Sequence, residues 1–229
     1  MIEVNPDESI TLHPGPNQTR QVQVVRHEAP RYDDRVISPR FYQRFTLERF
    51  PVEYRRDRLS LAVTSARGGE GKTLVACNLA VSIALGYGRK TVLVDMSTRR
   101  PALHRVFGLN SGPGLAEALR QEQMELSATA FSGLFVLTAG FDLTREDPFR
   151  NTVLLRQVVR SLERYFDYIV LDMNPVFPLE SFPALFAGEV DGVLAVVDAR
   201  STTRNDLRAM DRHLPEDRFM GYVMNRLRD

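Results

Sequence analysis

From Leu59 onward, short continuous apolar runs alternate with longer segments of helical periodicity. The runs are "LSLAVTS" (59–65), "KTVLVD" (90–95), "LFVLTA" (134–139), "DYIVLD" (167–172), "GVLAVVD" (192–198) and "MGYVMN" (220–225). Runs of this length without polar alternation predict strands buried on both faces, and the helical segments between them predict crossovers. Together they predict one α/β domain over residues 59–229, a mostly parallel sheet with helices on both faces. The pattern is weaker before Leu59. Residues 1–36 carry Pro, Asn, Gln, Asp and Glu with little hydrophobic periodicity and read as a flexible leader. Residues 37–58 set Phe41, Phe45 and Phe50 among charges, which predicts a short amphipathic lead-in helix ending near Pro51.

The strand ends carry the chemistry. Thr64 and Ser65, Asp95, Asp172, Asp198 and Asn225 each close an apolar run, so all fall at the carboxyl ends of their strands. Ligands bind at that edge of an open parallel sheet. A polar residue at any one strand end is ordinary. Five such ends beside a glycine-rich loop direct attention to a site.

The loop is "SARGGEGKT", Ser65–Thr73, between a predicted strand and a predicted helix. From Ala66 to Thr73 it matches the P-loop pattern, with Ala where the first Gly often stands, and so predicts a P-loop NTPase fold. Gly68, Gly69 and Gly71 permit backbone conformations in which successive N–H groups face phosphate oxygens, and the helix beginning near Lys72 adds its positive end. Lys72 is expected to neutralise β- and γ-phosphates, and Thr73 to offer a hydroxyl to Mg²⁺. The candidate nucleotide-binding set therefore runs from Arg67 through Gly68, Gly69, Glu70, Gly71, Lys72 and Thr73 to Leu74. Asp172 closes a hydrophobic strand in the manner of a Walker B carboxylate that holds Mg²⁺. Asp95 closes another and is suited to orient the metal's water or take a proton from a nucleophile. Either Asp could instead serve as a helix N-cap.

Composition narrows the alternatives. At 229 residues and 43% hydrophobic content the chain fits a single domain with one substantial core. One cysteine, Cys77, excludes an internal disulfide framework or a multi-thiolate metal site, and its place among small helical residues suggests packing. Four scattered histidines give no zinc spacing. A formal net charge of +1 argues against a general polyanion binder, so no nucleic-acid partner is expected. The start lacks a basic patch followed by an apolar segment, and a cytoplasmic location is expected. Lys72 and Lys90 are the only lysines among 30 basic residues, and one lies inside the glycine loop. A compact ammonium enters a pocket too tight for a guanidinium.

The segment "TVLVDMSTRRPALHRVFGLNSGPGLAEAL", Thr91–Leu119, resembles the Walker A′ region of bacterial tyrosine kinases of capsule and exopolysaccharide synthesis, the CpsD/CapB type, within the wider MinD/ParA group. Arg99, Arg100, Pro101, Leu103, His104, Phe107, Gly108, Leu109, Gly114 and Leu115 fit that family's order. "DYIVLDMNPV", "VDGVLAVVDARSTTRNDL" and "GYVMNR" extend the similarity over about residues 59–227. The resemblance implies ATP as nucleotide with Mg²⁺, Asn225 near the adenine, and catalytic roles for Lys72, Asp95 and Asp172, with Thr73, Asp95 and Asp172 around the metal. It further implies a membrane-embedded polysaccharide chain-length or export protein as partner, assembly of copies on ATP binding, and a position peripheral to the inner membrane through that partner.

Three departures qualify the expected activity. Ser97 stands where the second Asp of the A′ motif is usual. No tyrosine-rich tail follows Tyr222, which lies in a predicted strand, before the sequence stops at Asp229. "FYQRFTLER" matches the family's ring-assembly helix only loosely. The expected function is an ATP-binding, tyrosine-kinase-like regulator of polysaccharide polymerisation or export, with kinase activity weakened or lost. The alternative is a non-phosphorylating MinD/ParA-type ATPase switch, for which Arg67 occupies the place of that group's signature lysine. Arg156, Arg160 and Arg164 form a stripe that reads as a solvated face or a dock for an acidic tail, and Tyr32, Tyr42 and Tyr54 read as packing or solvated residues.

Overall fold

The computed structural model describes residues 10–12, 20–25, 31–43, 58–120, 124–143, 152–179 and 187–227. Nine strands run β1 Ile10–Leu12, β2 Arg20–Val25, β3 Leu59–Ser65, β4 Thr91–Asp95, β5 Met124–Ala128, β6 Leu134–Leu137, β7 Tyr168–Asp172, β8 Gly192–Asp198 and β9 Phe219–Asn225. The helices are α1 Pro39–Tyr42, α2 Lys72–Tyr87, α3 Leu103–Val106, α4 Leu115–Leu119, α5 Thr152–Leu162 and α6 Arg204–Asp211. All six strands expected from the apolar runs are present. They form one continuous parallel block in the order β6-β4-β7-β3-β8-β9, inside a sheet ordered β1-β2-β5-β6-β4-β7-β3-β8-β9.

The additions are at the other edge. β5 runs antiparallel to β6, β2 lies parallel to β5, and β1 pairs antiparallel with β2. This corrects the reading of residues 1–36 as a flexible leader, since Ile10–Leu12 and Arg20–Val25 are sheet strands. "RQVQVV" in β2 alternates Gln and Val at the period of a strand, and its backbone is paired along Val22–Val25 with Met124–Ser127. Of the lead-in helix over 37–58, the described part is α1; residues 44–57, with Phe45, Phe50 and Tyr54, lie outside the described residues.

Two apolar layers sandwich the sheet. One is built on α2, α3 and one sheet face, with Leu61, Val63, Leu79, Leu93 and Phe107 at its centre. The other packs α4, α5 and Met210 of α6 onto the opposite face. Helix α2 buries an unbroken stretch from Val75 to Ala84 instead of a single stripe. A helix apolar all round needs cover on every side. Its outer side is covered by the segment Asp33–Tyr42, where Ile37 is fully buried and Val36 and Tyr42 pack on the same layer. Asn78 fastens this strap: its Oδ1 accepts from Ser38 N at 3.2 Å, and its Nδ2 donates to Val36 O at 2.7 Å and Leu74 O at 2.8 Å. Gly88, in the left-handed region at φ 61°, ends the helix.

Asn78→Ala removes the side chain that hydrogen-bonds three part-buried backbone groups. The expected loss is about 2–3 kcal/mol, read as a melting temperature lowered by roughly 5–10 °C for a chain of this size. An unchanged melting temperature would show that the strap is held elsewhere.

Candidate functional site

β3 delivers the glycine loop and α2 receives it. Gly69 and Gly71 take φ values of 89° and 97°, which L side chains rarely adopt. At Gly71 there is a second reason for glycine, because a Cβ would run into the Asn225 side-chain amide. Position 71 therefore requires both the missing side chain and the left-handed backbone. Lys72 and Thr73 open α2, and Leu74 turns its side chain into the apolar layer beneath.

Thr73 and Asp172 meet across this cradle. Thr73 Oγ1 donates to Asp172 Oδ2 at 2.7 Å, while Asp172 Oδ1 is buried with no hydrogen-bond partner. Asp95 is the register partner of Asp172 on the neighbouring parallel strand, so two carboxylates end adjacent strands side by side. Burial, then the Asp95 charge, push the Asp172 carboxyl up to about 7, against the pull of Lys72 and the Thr73 hydroxyl. Burial also raises Asp95, opposed by its amide hydrogen bonds. Cys77, one turn into α2, is fully buried; burial, then Asp172 and Asp95, push its thiol well above the usual range. It is a packing thiol.

Asp95 takes on the capping role that the sequence left open. Its Oδ1 accepts from Ser97 N at 3.0 Å and its Oδ2 from Ala102 N at 2.9 Å and Leu103 N at 3.0 Å. The carboxylate thus ties down the "STRRPA" turn and the start of α3. Asn174, buried, accepts from Thr98 N at 3.2 Å and donates to Thr98 Oγ1 at 2.9 Å from the far side. Arg99 and Arg100 stand exposed on this turn.

The remaining expected residues lie around the loop without all facing its interior. Glu70 is buried, with Oε2 accepting from Arg67 N at 2.7 Å and Oε1 from Thr202 Oγ1. Asn225 Nδ2 donates to Glu70 O at 2.9 Å, and its Oδ1 accepts from Arg226 N at 2.9 Å. Arg67 reaches Asp206 Oδ1 through Nε at 2.9 Å and Nη2 at 2.8 Å. The Thr203 hydroxyl first, then Arg67, hold Asp206 down to about 2. Thr202, Asp206, Asn174 and Asn78 were not anticipated from the sequence. Asp206 carried a local signal, since Thr203 and Asp206 form the capping box of α6. The others act across 40 to more than 100 residues of chain.

Away from this edge, the second lysine, Lys90, lies over the Phe135 and Phe166 rings at 5.7 and 5.3 Å. Arg156 pairs with Glu189 at 2.5 Å, and Arg160 and Arg164 stay exposed. Tyr32 packs on Phe131 at 4.7 Å between ring centroids.

Among the described residues no group of three His, Cys, Asp or Glu side chains is placed to hold an ion alone. A hydroxyl and a carboxylate with an unmatched buried oxygen suit a hard cation such as Mg²⁺, which completes its shell with phosphate oxygens and water. The donor set fits, with Thr73 and Asp172 as the side chains that would hold it.

A left-handed glycine turn between a buried parallel strand and a helix, with Lys72, Thr73 and a Walker B carboxylate around it, defines a P-loop nucleotide-binding domain. The chain belongs to the CobQ/CobB/MinD/ParA nucleotide-binding domain family, whose model matches residues 61–229. The resemblance to bacterial tyrosine kinases is borne out. Tyrosine-protein kinase CpsD of Streptococcus pneumoniae serotype 4 is 28% identical over 73% of this chain and 75% of its own. The succinoglycan biosynthesis transport protein ExoP of Rhizobium meliloti is 27% identical over 72% of this chain, which matches 22% of that longer protein. The crystal structure of the VpsO kinase domain superposes with a TM-score of 0.66 at 30% identity, covering 75% of this chain and 86% of that one.

The raised Asp172 carboxyl makes a stability prediction. The unfolded chain releases this proton near 3.8 and the folded chain near 7, so the folded state holds the extra proton between them. Stability therefore falls as pH rises through that window. Asp172→Asn is expected to raise the melting temperature of the nucleotide-free chain at pH 8, by about 2–4 °C for each kcal/mol relieved, with the gain shrinking toward pH 4. A variant melting no higher than wild type at pH 8 would contradict the burial of a charged carboxylate here.

Proposed function

We propose that this chain binds ATP with Mg²⁺ and acts as a tyrosine-kinase-like component of capsule or exopolysaccharide production, with slow phosphoryl transfer. The observation that carries this reading is the Thr73–Asp172 pair beneath the glycine loop, with one Asp172 oxygen unmatched, in a chain related to CpsD and the VpsO kinase domain. Mg²⁺, when bound, would neutralise charge on the nucleotide's phosphates. The loop amides and Lys72 hold the phosphates, and Thr73 and Asp172 orient the metal side. Asp95 Oδ1, which accepts one amide where Oδ2 accepts two, is the oxygen with room for the tyrosine proton. Phosphoryl transfer depends mainly on positioning and electrostatics, so Ser97 in place of a second carboxylate lowers the rate while leaving nucleotide affinity intact.

No helix of the described residues is long and apolar enough to cross a membrane. We assign membrane association to a chain-length or export partner at the cytoplasmic side of the membrane. Support comes from ExoP, in which the matched segment is 22% of a transport protein. A second reading is an ATP-driven switch in which nucleotide orders an interface between copies without a phosphorylated product. The engagement of both Asp95 oxygens by backbone amides, together with Ser97, favours it.

Incubation with γ-labelled ATP, with Lys72→Met as control and Ser97→Asp as a gain variant, tests both. Phosphotyrosine above the control, increased in Ser97→Asp, is expected for the kinase reading. ATP-dependent change in sedimentation without phosphotyrosine supports the switch. Neither signal would overturn both.

A further inference from the structure

The loop is held from outside by one unit of the fold, the stretch β8–α6–β9. Glu70 stands inside the loop sequence, yet its carboxylate is 3% exposed and both oxygens are engaged away from the cradle. One accepts the Arg67 amide. The other accepts the hydroxyl of Thr202, in the turn between β8 and α6. Thr202 Oγ1 in turn accepts from Asp198 N at 3.0 Å, which fixes the hydroxyl on the end of β8. Asp198 is itself pinned by Arg200 N at 3.0 Å, Ser201 Oγ at 2.9 Å and Arg226 Nη1 at 2.6 Å. Two further attachments come from the same unit. Arg67 reaches Asp206 in α6, and Asn225 at the end of β9 donates to the Glu70 carbonyl while closing the space beside Gly71.

We propose that Glu70 is a positioning residue that braces the glycine loop against Thr202 and so presets the amides of Gly68 to Thr73 for a nucleotide's phosphates. The inference rests on the nucleotide reading of the site and assigns Glu70 no contact with nucleotide. A free glycine-rich loop with left-handed backbone at residues 69 and 71 samples many conformations. A ligand that binds only one of them has its apparent affinity reduced by the fraction populated. A carboxylate facing the triphosphate would repel it. Turned outward and bound at both oxygens, the same carboxylate withdraws the Arg67 amide from the cradle and fixes where the next amides begin. Asn225 separately joins the loop to β9, the sheet edge.

Thr202→Val breaks the brace from the side that is not part of the loop, and Thr202→Ser restores the hydroxyl. Calorimetric titration with Mg-ADP is expected to show Thr202→Val weakened about tenfold, as for a competent fraction cut to roughly a tenth, with Thr202→Ser close to wild type. Glu70→Gln, which keeps an acceptor for the Arg67 amide and a donor for Thr202, is expected to bind far better than Glu70→Ala. Glu70→Ala and the Glu70→Ala/Thr202→Val double variant should lose equally, because Glu70→Ala already removes the acceptor of the Thr202 hydroxyl. Melting temperatures on the same samples separate loss of affinity from loss of fold. Thr202→Val binding as wild type, or single losses that multiply in the double variant, would overturn the brace. Absence of Mg-ADP binding by wild type, with Lys72→Ala indistinguishable from it, would instead overturn the nucleotide reading and the brace with it.

Discussion

A carboxylate buried at the end of a parallel strand with one oxygen unmatched is the constraint around which this fold is arranged. Asp172 is 1% exposed, its Oδ2 takes the Thr73 hydroxyl, and its Oδ1 takes nothing from the protein. Asp95 ends the next strand in register and adds its own charge to the problem. Such a pair disfavours the folded state when both groups are ionised. A cation held between these groups and a nucleotide's phosphates would resolve that conflict, and strain of this kind collects at functional sites.

The two carboxylates resolve their burial differently, and this separates their roles. Asp95 is surrounded by backbone donors from Ser97, Ala102 and Leu103, so it organises the turn that carries Ser97, Arg99 and Arg100. Asp172 has no comparable set of donors and keeps an oxygen open. On the other side of the loop, Thr202, Asp206 and Asn225 hold its outer surface. The glycine loop is thus set between a hydrogen-bonded A′ turn and the β8–α6–β9 unit. Gly69 and Gly71 supply conformations that L side chains rarely adopt, and their surroundings select one of them.

Most of the parallel block was legible because its strands are buried on both faces and read as unbroken apolar runs. Leu59–Ser65, Thr91–Asp95, Leu134–Leu137, Tyr168–Asp172, Gly192–Asp198 and Phe219–Asn225 all follow from that one property. β5 and β2 were missed because "MELSA" and "RQVQVV" mix polar residues into short edge-side strands, and pairing with a distant partner decides such segments. The place of the glycine loop between β3 and α2, and of Asp172 at the end of β7, was legible from the apolar runs beside them. Thr202 was not, because nothing local marks a threonine in "ARSTTRND" as the partner of a glutamate 132 residues earlier. The contact of the Asn225 side chain with Glu70 O had no local signal either, since only the folded register of β9 on β8 creates it.

The central claim is that the main-chain N–H groups from Gly68 to Thr73 face a nucleotide's phosphates. Hydrogen–deuterium exchange of those amides, with and without Mg-ATP, tests it most directly. Exchange slowed in this loop by at least about tenfold, corresponding to a stabilisation on the order of 1.4 kcal/mol, is the result this account predicts. Loop amides that exchange at the same rate under saturating Mg-ATP, with protection appearing elsewhere in the chain, would contradict it.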